Sequence, residues 1–170
     1  MGMPLETFFQ MLEAVAVVFG VGFAVVQVRQ HQRRQARESA MELLHSFQTP
    51  EFAKALTLVY RMPDGLTKAE VERRLGDDFH LVYAMTTTWE SLGVLVFRRE
   101  LSLDLVDDFF SGPVRISWRK LQGYFREERA EQRRETIAEW FEWLADRLAD
   151  RESRKAPVPA HIAHGNWRSA

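Results

Sequence analysis

Residues able to do acid–base or metal chemistry are scattered along this sequence. It holds five histidines, His31, His45, His80, His161 and His164, and no cysteine. Thiol catalysis, thiolate metal sites and disulfides are therefore excluded. "HIAH" sets His161 and His164 one helical turn apart, the spacing of a metal-binding pair. No carboxylate stands near it to extend the ligand set, so the pair reads as tail sequence. "DDFH" groups Asp77, Asp78 and His80 at an expected helix start, where acids favour the positive end of the dipole. "DLVDD" places Asp104 and Asp108 on one helix face, enough for a divalent cation in principle. Acids in the first turns of a helix are more commonly solvated.

Glu90 is the most informative carboxylate. It follows Trp89 in a stretch, residues 81–97, that is otherwise apolar or hydroxyl-bearing. If buried there it needs a partner, and Arg115 or Arg119 on the following long helix are the cations expected to reach it. A buried, paired carboxylate is more often structural than catalytic. The sequence has no Walker loop, no G-x-G-x-x-G and no H-E-x-x-H, and "ESLG" lacks the elbow pattern around Ser91. No catalytic constellation, metal site or cofactor is expected.

The elements that would carry these residues are helical throughout. In "SFQTPEF", Thr49 can cap and Pro50 suits the first helical position, starting a helix through Phe52, Leu56 and Val59. "MPDG" is a turn. "LTKAEVERRLG" has a capping box, Thr67 with Glu70, and Gly76 as its stop. Residues 78–97 place Val82, Met85, Trp89, Leu92, Gly93 and Val96 on one face and form the central helix. Ser102 caps the next helix, Gly112 is its expected stop, and Pro113 is expected to open another carrying Val114, Trp118, Leu121 and Phe125. "REERAEQRRE" reads as solvated. The last helix carries Ile137, Trp140, Phe141, Leu144 and Leu148, with Trp140 and Trp143 expected on different faces. No segment alternates like a strand.

The N-terminal segment is of another kind. "AVAVVFGVGFAVV", residues 14–26, is an unbroken apolar run, and residues 8–28 are interrupted only by Gln10, Glu13 and Gln27. At helical rise that stretch spans about 30 Å, the thickness of the hydrocarbon layer. It is apolar all round, unlike a surface helix. A removable signal peptide fits poorly: "MGMPLETFFQ" has no Lys or Arg, and "QVRQHQRRQAR" is no small-residue cleavage site. Arg29, Arg33, Arg34 and Arg37 follow with no acid among them, the pattern that keeps a flank on the cytoplasmic side. Glu13 argues against a span, since a charge at that depth is costly. Ala16, Gly20 and Ala24 form a small-residue face suited to close helix approach.

Three stretches, "LLHSFQTPEFAKALTLVYRM", "TTWESLGVLVFRRELSLDLVDDFFSGPVRISWRKLQGYF" and "EWFEWLADRL", resemble a bacterial family known as domain of unknown function 4760. The resemblance rests on apolar and aromatic positions and covers most of residues 8–150. It implies a short membrane helix, basic residues and then a helical domain, and it brings no activity with it.

The expected architecture is all-α: a transmembrane signal anchor at 8–28, a juxtamembrane basic helix at 29–48, a helical bundle at 49–152 and a flexible tail at 153–170. The expected setting is a bacterial inner membrane, single-pass, N-terminus out, with the C-terminal domain cytoplasmic. Expected partners are the lipid bilayer and a membrane protein or second copy. Nucleic acid is not expected, because the net charge is −1 and no aromatics interleave the basic segment. The leading function is a membrane-anchored interaction, scaffold or accessory protein. A membrane-tethered enzyme using Glu90, His80, Asp104 and Asp108, and a soluble bundle with 8–28 as its core, are the alternatives.

Overall fold

A computed structural model describes residues 23, 27, 47, 49–154 and 156–168. The anchor residues Ala16, Gly20 and Ala24, the arginines 29, 33, 34 and 37, and the expected helix at 29–48 (save Phe47) lie outside these. The chain divides into two units, Met1–Ser46 and Phe47–Ala170. Of the first, Phe23 and Gln27 are helical and exposed. Among the described residues no helix is long and apolar enough to cross a membrane.

The second unit is a helical bundle, with no strand among the described residues. Helix α1 (Pro50–Tyr60) starts as its sequence demands: the Thr49 side chain accepts from the Phe52 amide at 3.1 Å, and Pro50 holds the first position. Helix α2 (Lys68–Leu75) opens on a complete capping box between Thr67 and Glu70. Gly76, at φ 48°, starts a single 3₁₀ turn that leads straight into α3 (Phe79–Phe97). Helix α4 (Leu103–Gln132) follows, capped by Ser102 on the Leu105 amide. Then come α5 (Glu139–Arg154) and, in the tail, the short exposed α6 (Ala160–Ala163).

Helix α3 is central, packed between α1 and α5, while α4 lies against α1, α2 and α5. The expected stripe of α3 is buried: Val82, Met85, Trp89, Leu92 and Val96. Buried with it are Ala55 and Val59 of α1, Val106, Phe110, Val114 and Leu121 of α4, and Phe141, Leu144 and Leu148 of α5.

The expected break at Gly112–Pro113 is corrected by the structure. One helix runs through both residues. Proline inside a helix costs about 3 kcal/mol. Val106 and Phe110 before it and Val114 and Trp118 after it are all buried on the same stripe. At roughly 1.5–3 kcal/mol for each large apolar side chain, holding both halves in register outweighs the proline.

Candidate functional site

The seam between α3 and the start of α5 gathers the features best suited to a site. Glu90, Gly93 and Phe97 share one face of α3. At Gly93 the missing side chain lets α5 come close: a Cβ there would lie 2.4 Å from the Trp140 carbonyl oxygen. This approach brings the half-buried Glu90 to the first turn of α5, where its Oε2 accepts from the Phe141 amide at 2.6 Å. Helix starts carry unsatisfied amides and partial positive charge, so a carboxylate is well placed there. Ala138, just before α5, has φ 55°, and the carboxylate completing this helix start comes from α3.

Burial pushes the Glu90 carboxyl above the usual carboxylate range. The Phe141 and Trp140 amides pull it back only in part; Glu139 adds to the rise and Arg129 opposes it. A carboxyl raised on folding adds stability below its ordinary pKa and loses that contribution as pH climbs through the raised value. At neutral pH Glu90 is thus a net electrostatic cost. Glu90→Gln keeps an acceptor for Phe141 without the charge. We expect it to be more resistant to urea than the native chain at pH 7, the gap closing as pH falls below the ordinary glutamate pKa. A gap independent of pH, or a less stable variant at pH 7, would contradict this account.

The expected partners of Glu90 are corrected. Arg115 pairs with Glu152, and the exposed Arg119 pairs through Nε with Asp64 at 3.2 Å. Each is drawn to a carboxylate elsewhere, Arg115 to one on α5 and Arg119 to one in the turn between α1 and α2. The cation that does reach the seam is Arg129, from the segment expected to be solvated. Its Nε donates to the Ile137 carbonyl at 2.7 Å and its Nη1 to Glu142 at 2.5 Å, with the guanidinium 5.9 Å from the Trp118 ring centre. The sequence held the signal, because Trp118, Leu121 and Phe125 extend by one more turn to Arg129.

Trp140 and Trp143 are corrected too. They lie on one side of α5, with Phe97 at 4.8 Å from the first ring and 6.0 Å from the second. Residues three apart in a helix are neighbours. Phe97 remains 58% exposed, so this aromatic cluster reaches the surface.

The other candidate acids and histidines are not brought together. The Nδ1 of His80 lies 2.6 Å from the Asp77 carbonyl oxygen, and Asp78 pairs with Lys54 at 2.7 Å. Arg151 bridges Asp104 and Asp107, the latter at 2.9 Å. His161 lies within the exposed tail helix and His164 directly after it. Among the described residues no cluster of three or more such ligands could hold a metal ion.

The family model described as "Domain of unknown function (DUF4760)" matches residues 14–148. No curated protein and no solved structure matches the chain.

Proposed function

From the premise that this chain belongs to the DUF4760 family, we propose that it is a membrane-anchored helical interaction protein. The observation that carries this reading is the apolar run 8–28 followed at once by Arg29, Arg33, Arg34 and Arg37. One further point supports it. The family match begins at residue 14, inside the run, which fits a retained anchor better than a removable leader.

In this reading the arginines sit at anionic headgroups on the cytoplasmic side of a bacterial inner membrane, and the bundle hangs from them. Ala16, Gly20 and Ala24 offer the close-packing face to a partner helix, either a second copy or another membrane protein. The bundle is the scaffold or accessory part.

Fractionating cells that express tagged full-length protein, with an alkaline wash, tests the anchor. A variant lacking residues 1–30 is run beside it. The full-length chain should stay with the membrane while the truncation is soluble and folded. A full-length chain released by alkali, with a truncation that collapses, would instead make residues 8–28 a core helix.

A further inference from the structure

Helix α3 lies between α1 and α5, yet one of its faces is left open. His80, Ala84, Thr87, Ser91, Val94 and Arg98 recur at alternating steps of four and three, the spacing of a single seam along a helix. Val94 is half-buried and the other five are exposed. Between its two end residues the seam has no charge, whereas the outer face of a surface helix is ordinarily charged. Its two hydroxyls are already satisfied: Thr87 donates to the Tyr83 carbonyl at 3.1 Å and Ser91 to the Thr87 carbonyl at 3.0 Å. Covering them would strand no donor. Tyr83 and Phe97, 54% and 58% exposed, border the seam.

The two ends of α3 differ in charge. Ahead of it, Asp78 is paired with Lys54, and Asp77 has no ion-pair partner among the described residues, so one negative charge is left over. After it, Arg98 and Arg99 stand against Glu100 with no ion pair among the described residues, so one positive charge is left over. On α2, just before, Arg73 and Arg74 are matched by Glu70 and Glu72. The seam also reads alike from either end. About position 89, Thr87 mirrors Ser91, Ala84 mirrors Val94 and His80 mirrors Arg98.

We propose that a second copy of this chain docks on this face, the two α3 helices running antiparallel about a two-fold axis through position 89. Such an interface is self-complementary. Thr87 meets the partner's Ser91, and Ala84 meets the partner's Val94, so small side chains let the helices approach closely. Each Arg98 comes within one turn of the partner's Asp77, and each negative start lies on a positive end. A parallel pair would set like ends together. The inference rests on α3 and is independent of how the chain is anchored.

The chain has no cysteine, so introduced thiols can report the pairing. Residues 84 and 94 lie about 15 Å apart along one helix, too far for a disulfide within a chain. Across the proposed axis each faces the other. Detergent-free lysates of cells expressing full-length Ala84→Cys/Val94→Cys, oxidised with copper–phenanthroline, should give disulfide-linked dimers on gels. Either single variant sits about 15 Å along the axis from its own mate and should not link. Adding Thr87→Glu or Ser91→Glu, both at exposed positions, should cut the linked fraction about tenfold, because each copy would bury an unpaired carboxylate. The helical signal of the purified chain should be unchanged. Three results would each overturn the proposal. One is no linked dimer from the double variant, which would leave the face to another partner. The others are a single variant that links as well as the double one, and linking that survives both glutamate substitutions.

Discussion

Replacing Trp89 by alanine should cost the helical unit about 3–5 kcal/mol, the range for deleting a large aromatic from a packed core. Trp89 is fully buried on α3. Its ring stacks on Phe47 at 5.2 Å, meets Phe52 edge-on at 5.3 Å and lies 6.0 Å from Phe110. One side chain thus joins α1, α3, α4 and Phe47, three positions ahead of α1. Trp89→Phe should behave quite differently. The indole Nε1 has no hydrogen-bond partner among the described residues. Phenylalanine removes that orphan donor, whose burial costs about 1–3 kcal/mol, while giving up part of the packing. The two terms oppose, so the phenylalanine variant should lie close to the native chain. Urea unfolding followed by far-ultraviolet circular dichroism reads both. A phenylalanine variant as unstable as the alanine one would mean that the indole N–H is satisfied after all.

The second large effect turns on Gly93, with the helical Gly112 as its comparison. At Gly93 an added Cβ meets the backbone of Trp140, 2.4 Å from its oxygen and 2.9 Å from its carbonyl carbon. Backbone cannot rotate away, so α3 and α5 must part. Overpacking of this kind costs about 1–3 kcal/mol. Parting the helices also lengthens the 2.6 Å bond from Phe141 to Glu90. Against this stands the gain of roughly 0.5–1 kcal/mol from replacing a mid-helix glycine by alanine. The clash wins, and Gly93→Ala is destabilised. At Gly112 a Cβ meets nothing within 4 Å. There the helix gain is opposed by Pro113, whose ring crowds the Cβ of a helical residue that precedes it, so Gly112→Ala should move stability far less than Gly93→Ala. An unfolding midpoint for Gly93→Ala no lower than that for Gly112→Ala would show that the α3–α5 approach is looser than described.

The elements that the sequence announced were those whose signals are local. Thr49 with Pro50, Thr67 with Glu70 and Ser102 each act on amides within a turn of themselves, and each caps the helix it was expected to cap. The stripe of α3 follows from period alone. The break expected at Pro113 failed because a local rule met a larger non-local one, the burial of Val106, Phe110, Val114 and Trp118 along one line. Arg129 and the Trp140–Trp143 pair could have been placed by carrying helical spacing one turn further. The partner of Glu90 could not, because it is a backbone amide on a helix distant in sequence, and no side-chain type marks it. The membrane reading rests on residues 8–28 and 29–37 as sequence.

The Glu90 contact also bears on how the chain acquires its shape. Phe141 and Glu90 are 51 positions apart, so the amide at the head of α5 finds its acceptor only after the two helices between and beside them have docked. An isolated peptide of α5 would lack that acceptor, and a helix of its length is marginal alone in water. The last helix is therefore a late and dependent piece of the assembly, and its opening is coupled to that of α3. In the intact protein the Phe141 amide should exchange with solvent deuterium no faster than the slow amides of α3, because freeing it means undoing both.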